Sequence, residues 1–444
     1  MSPCKRRRTS TAAPPPEATL VARTLPSDLM LEIIARTDAA TLVRCAACCK
    51  PLRRDILTPD FIRRVCHAGP DGGAAVVPAR LFGYLPTRRK FTKQAESQGA
   101  PPPAAFSLAH PATPAAADFA EKHLVPVFSR GGGDGIHALT RSSAYELFTS
   151  RNGLAVFQRS YSVGVPANQR ICVYDLMTGD RTFIFGSPEP LGVFKTYVPL
   201  AASDGISGSI FLLKADFTGL RLSCSIKVQT VSWSTDEGSG VWGPAITSAA
   251  SHRSHGCQLN PCCGVVVLGG SIHWVMRGWT GRGRLHVLTY KVGARTTGII
   301  ELPLERLPKG YGEFAESNLR LVATGGRLTM LTKEKLEVSV WVMSADTGNW
   351  ALNAVIDTES PLRSLAPEMP QPPLSPPYPW ILFQSSGERS GVLTFSVKTQ
   401  HRFHGIIVLD IETKEMHRVD GEMDLYAIPF EVDLESRLLA MKTF

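Results

Sequence analysis

Cysteines, long apolar runs and acceptor sites for N-linked glycans are scarce or missing in this sequence of 444 residues. Its ten cysteines are too sparse for a disulfide framework, and no Asn-x-Ser/Thr triplet occurs. The longest apolar runs, such as residues 264–270, are far shorter than the ~20 residues that a membrane-spanning helix requires. The basic segment after Met1 is not followed by the apolar stretch of a secretory signal. We therefore expect a protein of the nucleus, the cytoplasm or both, with reduced thiols and no membrane partner.

Sequence motifs of the common enzyme classes are also missing. There is no Gly-x-Ser-x-Gly of a hydrolase, no Gly-x4-Gly-Lys-Ser/Thr phosphate loop, no kinase motif set and no His-Glu-x2-His zinc helix. The glycine-rich run at 131–135 lacks the spacing of a dinucleotide-binding loop and is interpreted as a turn. We expect no catalytic residues, no cofactor and no enzymatic activity in this chain.

The positive charge of the chain is concentrated at one end. The net charge is +9, and residues 1–100 hold 17 basic and 8 acidic side chains, whereas residues 101–444 hold 31 of each. A neutral body of this size argues against nucleic acid as a partner of the main domain. The basic run Lys5, Arg6, Arg7 and Arg8 is interpreted as a nuclear-import signal or as a solvated tail, and both interpretations stay open. A nuclear module that binds nucleic acid or chromatin through this tail is the alternative function.

Composition divides the chain into four zones. Residues 1–22 are basic and rich in Pro, Ala, Ser and Thr, which predicts a disordered tail. Residues 23–67 have helical periodicity, and residues 68–120, rich in Pro, Ala and Gly, are expected to form an irregular connector. Residues 121–444 have the pattern of β-strands. The expected fold class is α+β, with a small all-α module of three helices before a large all-β domain.

The all-β zone repeats one pattern of short apolar strands separated by tight glycine turns. Gly269-Gly270 and Gly325-Gly326 each join two such strands, and turns such as Asp346-Thr347-Gly348 follow later in the repeat. Four strands in each unit of roughly 50 residues are typical of a β-propeller blade. We expect four to six blades, and a tandem of β-sandwiches is the alternative. The seven prolines within Pro367–Pro379 exclude a central strand at that place.

The helical zone carries a dense motif. Leu25-Pro26-x-Asp28-Leu29-x3-Ile33 is followed by Thr41-Leu42-Val43-Arg44-Cys45, by Cys48-Cys49-Lys50-x-Leu52-Arg53 and by Pro59-x-Phe61. This combination, over about residues 24–65, resembles an F-box, and an ordinary helical hairpin attached to a β-domain is the alternative. The whole layout is similar to the F-box proteins of grasses that carry an uncharacterised, kelch-like C-terminal domain.

This resemblance implies the substrate receptor of a Skp–cullin–F-box ubiquitin ligase. Such a receptor binds a Skp-type adaptor, reaches a cullin through that adaptor, and holds an unknown protein target on its C-terminal domain. Carried over by position, the adaptor contacts are Leu25, Pro26, Leu29, Ile33, Leu42, Val43, Cys49 and Leu52. Two positions depart from the family pattern. Thr37-Asp38 stands where an apolar pair is common, and Leu52 stands where the larger Trp is common.

Two cysteine-containing clusters have residue types that bind metals. The first comprises His252, His255, Cys257, Cys262 and Cys263. Its spacing fits no common zinc finger, and it runs into an apolar strand. The second comprises Cys45, Cys48 and Cys49, which we interpret as packing residues because cysteine is among the most buried residue types. No metal site is therefore expected.

Overall fold

The structure, a computed structural model, describes the helical zone at residues 25–37 and 39–66, two isolated segments at 80–85 and 107–108, and most of the region from 145 to 433. Within that region the described residues are 145–159, 171–175, 181–184, 195–200, 204, 211–221, 224–232, 239–250, 256–259, 264–278, 285–303, 318–367, 380–388, 391–398, 403–419 and 428–433, together with 438. The predicted tail at 1–22 and its basic run lie outside the described residues.

Four short helices form the N-terminal module. They are α1 (Ser27–Ala35), α2 (Ala39–Cys48), α3 (Lys50–Ile56) and α4 (Pro59–Cys66). Proline favours the beginning of a helix, where its missing N–H costs no hydrogen bond, and both α3 and α4 have a proline in their first turn. The sequence predicted only a turn or two after Pro59. The longer helix α4 forms there because its apolar residues are buried against the rest of the module.

An apolar core holds these helices together. It contains Leu42, Val43, Ala46, Ile56, Leu57, Phe61, Ile62 and Val65. Arg53 Nε donates a hydrogen bond to the Ala46 carbonyl oxygen at 2.9 Å, which ties α3 to α2. An exposed ion pair between Arg64 and Glu32, 3.1 Å apart, joins α4 to α1. The module is thus a folded unit in which α2, α3 and α4 supply most of the core.

Strands make up almost all of the remaining described chain. The first two are β1 (Arg80–Leu85) and β2 (Ser107–Leu108). Blade 1 consists of β3 (Tyr145–Arg151), β4 (Leu154–Arg159), β5 (Ile171–Asp175) and β6 (Arg181–Ile184). Blade 2 consists of β7 (Lys195–Leu200), β8 (Phe211–Asp216), β9 (Ser225–Ser232), β10 (Ser239–Trp242) and β11 (Ile246–Ala249).

The other three blades continue in chain order. Blade 3 consists of β12 (Cys257–Leu259), β13 (Val265–Leu268), β14 (Ser271–Gly278), β15 (His286–Lys291) and β16 (Thr296–Glu301). Blade 4 consists of β17 (Leu319–Thr324), β18 (Arg327–Glu334), β19 (Glu337–Met343) and β20 (Trp350–Asp357), and helix α5 (Glu359–Leu365) follows it. Blade 5 consists of β21 (Trp380–Ser386), β22 (Val392–Lys398), β23 (Phe403–Asp410) and β24 (Met416–Val419).

The five sheets form a β-propeller, which confirms the prediction of helices followed by a large propeller-like all-β domain. The strands that pair within a blade are antiparallel, and in blades 2 and 3 β11 pairs with β9 and β12 with β14. The inner strands are β3, β7, β13, β17 and β21. Of these, β3 packs against β7, β13 against β17, and β17 against β21. A short parallel pairing between β6 and β10 also links the outer edges of blades 1 and 2. No helix in the described part of the chain is long and apolar enough to cross a membrane.

Tight turns connect three of the inner strands to the second strands of their blades. The turns are Asn152-Gly153, Gly269-Gly270 and Gly325-Gly326, and both residues of each have a φ between 51 and 75°. Positive φ at both positions is the requirement of the type I′ turn, which matches the twist of a β-hairpin. The glycine pairs that the sequence predicted as turns are therefore needed for their backbone conformation.

Four apolar seams join the blades in sequence. Side chains alternate between the two faces of a strand, so neighbouring residues of one inner strand serve different seams. In β17, Leu321 contributes to the core shared with blade 3, whereas Val322 contributes to the core shared with blade 5. Phe217 and Trp274 pack edge-to-face between blades 2 and 3, with ring centroids 5.3 Å apart. Each blade therefore buries both faces against its neighbours.

The ring closes through a sixth, smaller sheet. Its strands are in the order β2, β1 and β25 (Ile428–Asp433), and β25 packs against β3 of blade 1 and β21 of blade 5. The zone 68–120, predicted as an irregular connector, thus contributes two strands. Sequence reasoning missed β1 because its partner lies at the other end of the chain and no tight turn marks the pairing.

Candidate functional site

An exposed apolar stripe lies along α1 and the residues before it. The exposed fractions are 52% for Leu25, 52% for Leu29, 37% for Met30 and 55% for Ile33. Leu25, Leu29 and Ile33 follow one another at intervals of four residues, which places them on one side of the helix. Single exposed apolar residues are ordinary, but a contiguous set on one helix marks a surface for a partner. We call these four residues the α1 face.

Local contacts fix the helix that carries this face. The Met30 N–H donates to the Pro26 carbonyl oxygen at 3.1 Å, so the first turn is closed. At the other end, the Thr37 hydroxyl donates to the Ile34 carbonyl oxygen at 2.8 Å. Ile34 and Ala35 are buried on the opposite side. The α1 face is therefore presented by a helix that is anchored at both ends.

The structure separates the predicted adaptor contacts into two groups. Five are exposed, one is half-buried, and two lie in the module core; the exposed ones are Leu25, Pro26, Leu29, Ile33 and Cys49. Leu52 is half-buried. Leu42 and Val43 are 0% and 1% exposed, so they present no surface to a partner and we remove them from the contact set. Sequence reasoning missed Met30, whose signal is its position three residues before Ile33, on the same side of the helix.

Only one of the two cysteine-containing clusters lies fully within the described residues. No group of three or more metal-binding side chains is found in that part of the chain. Cys45 is half-buried, but Cys48 and Cys49 are exposed, so the interpretation of these two as packing residues is wrong. The second helix ends at Cys48, where side chains leave the core. Of the other cluster only Cys257 is described, and burial raises the pKa of its thiol.

A second notable feature is a buried charged cluster at one end of the propeller axis. Arg151, at the end of β3, donates to both carboxylate oxygens of Asp204 at 2.7 and 2.6 Å, and to the Pro199 carbonyl oxygen at 2.9 Å. It also forms an ion pair with Glu388. Burial alone disfavours the charge of the guanidinium, but the two carboxylates outweigh it and raise the pKa of Arg151 above its ordinary value.

Further hydrogen bonds with backbone groups extend this cluster to β13 of blade 3 and to β25. Glu388 Oε1 accepts the Val267 N–H at 2.7 Å, and the Glu388 N–H donates to Glu431 Oε2 at 2.7 Å. The Gly153 N–H donates to the Glu431 carbonyl oxygen at 2.9 Å. Blades 1, 2, 3 and 5 and strand β25 therefore meet at this point. We call Arg151, Asp204, Glu388 and Glu431 the axial cluster. Its hydrogen bonds connect several blades, so its role is structural.

Two further ionisable side chains are buried in the blades. Burial lowers the pKa of His273, on β14, to about 4. Burial likewise lowers the pKa of Lys333, on β18, to about 8. The Lys333 ammonium lies 5.9 Å from the ring centroid of Phe383, which belongs to blade 5. Burial shifts the pKa of each group toward its neutral form, and this makes both groups reporters of pH-dependent stability.

Comparison with known families defines the class and then the family of this protein. Residues 24–61 match the F-box domain, so the chain is an F-box protein with a propeller-like C-terminal domain. Residues 138–444 match the family described as domain of unknown function DUF7595. Because this second match covers more than half of the chain, the protein belongs to the DUF7595 family. No curated protein matches it. The resemblance to kelch-like proteins of grasses stays a prediction.

Three solved structures show distant likenesses to this chain. A structure from a study of two prolyl endopeptidases is 15% identical over 63% of this chain and 35% of its own, with a TM-score of 0.33. A Lactobacillus plantarum protein is 9% identical over 63% of this chain and 70% of its own, with a TM-score of 0.32. A puromycin-hydrolyzing peptidase of Mycobacterium tuberculosis is 11% identical over 63% of this chain and 38% of its own, with a TM-score of 0.32. The chain thus spans little more than a third of either peptidase structure, and no activity is transferred from them.

Proposed function

We propose that this protein is the substrate receptor of a Skp–cullin–F-box ubiquitin ligase. It binds a Skp-type adaptor through its helical module, and a cullin joins the complex through that adaptor. The propeller holds a protein target while other subunits carry out ubiquitin transfer. The chain itself performs no catalysis in this role. We place the complex in the nucleus, the cytoplasm or both.

The α1 face is the observation that carries this proposal. Leu25, Leu29 and Ile33 are each about half exposed in a module too small to bury them. Apolar anchors four residues apart on a helix are what a groove on a partner protein recognises. Because the module is an F-box domain, the partner that suits this stripe is a Skp-type adaptor. Cys49 and the exposed part of Leu52 are secondary contacts in this proposal.

The target is held at the end of the propeller opposite the axial cluster. The inner strands end at that cluster and continue there into the two-residue turns Asn152-Gly153, Gly269-Gly270 and Gly325-Gly326. Their beginnings follow much longer connections, such as residues 302–318 before β17 and 358–379 before β21. Recognition surfaces concentrate in longer connections that a rigid scaffold positions. This supports an assignment of the target-binding face to the end where the inner strands begin.

The adaptor interface is tested with two acidic double variants of the full chain. Leu29→Asp with Ile33→Asp places two charges in the α1 face, and we expect at least a roughly 100-fold loss of adaptor affinity because central apolar anchors dominate such interfaces. Leu352→Asp with Val355→Asp is the matched control. These residues are 50% and 48% exposed on the outer strand of blade 4, and we expect no change in adaptor binding.

Calorimetry or size-exclusion chromatography with a purified Skp-type adaptor measures both effects. Undiminished binding by the Leu29→Asp, Ile33→Asp chain overturns the proposal. Proximity labelling in cells then separates adaptor from target. We expect the α1 variant to lose the labelling of adaptor and cullin while it continues to label the target protein.

A further inference from the structure

We propose that strand β1 is a latch. By pairing with β25 it closes the propeller and attaches the F-box module to the ring. The chain segment between α4 and β3 would otherwise be a simple linker between two independent domains. Only residues 67–79 separate the end of α4 from the beginning of β1. This inference rests on the pairing of β1 and not on the identity of the partner that binds the α1 face.

The first step of the argument is the extent of the pairing. All six residues of β1 pair antiparallel with β25, from Arg80 opposite Asp433 to Leu85 opposite Ile428. On its other side β1 has a much shorter pairing with β2, which involves only Gly83 and Tyr84. The main attachment of β1 is therefore the C-terminal strand.

The second step is the position of β25 in the ring. It packs against β3 of blade 1 and β21 of blade 5, so it fills the gap between the first and last blades. Glu431 of β25 binds both sides of this gap. Its carboxylate accepts the Glu388 N–H from blade 5, and its carbonyl oxygen accepts the Gly153 N–H from blade 1. Strand β25 is thus the closing element, and β1 is the strand that covers its other edge.

The third step is the chemistry of the closing seam. In the parts of the blades that the structure describes, each of the other four seams has a large apolar core. The closing seam also buries apolar side chains, such as Phe157 of blade 1 and Val408 of blade 5, on the faces turned away from the other seams. It has in addition the axial cluster, in which Arg151 of blade 1 binds Glu388 of blade 5. Directional hydrogen bonds and strand pairing therefore add to apolar burial at this seam. A strand edge left without its partner exposes backbone groups and is prone to wrong pairing.

The latch extends the receptor domain toward the N-terminus. The family match begins at residue 138, but the closed ring includes β1, which begins at Arg80. The F-box module is consequently attached to the ring by strand pairing as well as by the covalent chain. This attachment predicts that the two parts stay together even after the covalent connection is cut.

Two full-length chains with an inserted protease site test the latch. One carries the site within residues 109–144, between β2 and β3, and the other carries it within residues 67–79, before β1. After native cleavage of the first chain, we expect the fragment with the F-box, β1 and β2 to co-elute with the propeller fragment. Cleavage of the second chain removes the F-box from its strand, and we expect the helical module to elute alone. Size-exclusion chromatography and mass spectrometry distinguish these outcomes.

Proline variants show whether strand pairing causes the retention. Successive N–H groups of β1 point to opposite sides, so Phe82→Pro and Gly83→Pro each remove a donor, one toward β25 and one toward β2. We expect one of them to release the fragment from the first cleaved chain and the other to retain it. Hydrogen exchange of β18 and β19 in the uncut variants checks that blade 4 remains folded.

Separate elution of the two fragments after cleavage within 109–144 overturns the latch. Retention that neither proline variant weakens also overturns it. Retention of the helical module after cleavage within 67–79 shows that the module docks directly on the propeller, and it equally overturns the proposal.

Discussion

The closing seam and the four other seams all bury apolar side chains, but they differ in what is added to this burial. Leu331, Leu393 and Ile407, for example, lie fully buried between blades 4 and 5. Between blades 5 and 1, apolar side chains such as Phe157 and Val408 are buried as well, and the ion pair of Arg151 with Glu388 and the strand β25 lie beside them. Apolar burial is non-directional and tolerates change in shape, whereas a buried ion pair depends on every member. The comparison predicts that the closing seam is the part of the ring most sensitive to loss of a single group.

Arg151→Met is expected to have the largest effect. It leaves the buried carboxylates of Asp204 and Glu388 without their cation, and removal of one partner from such a pair costs about 3–5 kcal/mol of the free energy of unfolding. Urea titration followed by tryptophan fluorescence measures this loss. The triple variant Arg151→Met, Asp204→Leu, Glu388→Met is the control, and we expect it to recover much of the stability. A loss below about 1 kcal/mol in the single variant would contradict the difference between the seams.

Leu331→Ala tests an apolar seam. The side chain is fully buried between blades 4 and 5, and its truncation is expected to cost about 2–5 kcal/mol because a cavity remains. Leu331→Met conserves the volume, and its cost is expected to stay below about 1.5 kcal/mol. Thermal and urea unfolding of both variants measure the difference. Equal losses for Ala and Met would show that this seam is as intolerant as the closing one.

The buried His273 in blade 3 makes the stability of the protein depend on pH, and this effect is separate from the axial cluster. Its pKa is about 4 in the folded protein and 6.5 ordinarily, so between these values the unfolded chain binds more protons and stability falls as the pH decreases. At pH 5 this effect lowers the free energy of unfolding by about 2 kcal/mol relative to neutral pH. The variant His273→Gln is expected to lose this part of the acid sensitivity. Urea midpoints between pH 4 and 7 measure it, and parallel curves for both proteins contradict the assignment.

Leu352→Thr is expected to have the smallest effect. Leu352 is exposed on the outer strand of blade 4 and belongs to neither kind of seam. Surface changes of this type alter stability by less than about 0.5 kcal/mol. A larger change, measured by the same urea titration, would show that the outer edge of the blade is part of a packed surface.

The sequence predicted the strands beside the glycine turns better than the other inner strands. Strands β13, β14, β17 and β18 are apolar, flank Gly269-Gly270 or Gly325-Gly326, and were predicted from that pattern. The inner strands β3, β7 and β21 were missed. They contain polar residues such as Thr196, Arg151 and Ser386, and each follows a connection without a tight turn. Inner strands are identified by their neighbours around the axis, which lie far apart in the sequence.

The helical module shows the same limit at the candidate site. Its motif predicted the positions of the helices and the importance of Leu29 and Ile33. The motif did not separate these exposed residues from Leu42 and Val43, which are equally apolar and lie in the core. Periodicity identifies a helix face, but only the packing of the four helices decides which face remains uncovered.

The pairing of β1 with β25 has a consequence for the order in which the protein is made. The ribosome releases the F-box and β1 long before the partner strand Ile428–Asp433 emerges. Closure of so long a loop is slow, because contacts between distant segments form after local ones. A nascent chain that stops before Ile428 therefore has a finished docking module and an open ring. Completion of the ring thus waits until β25 has been translated.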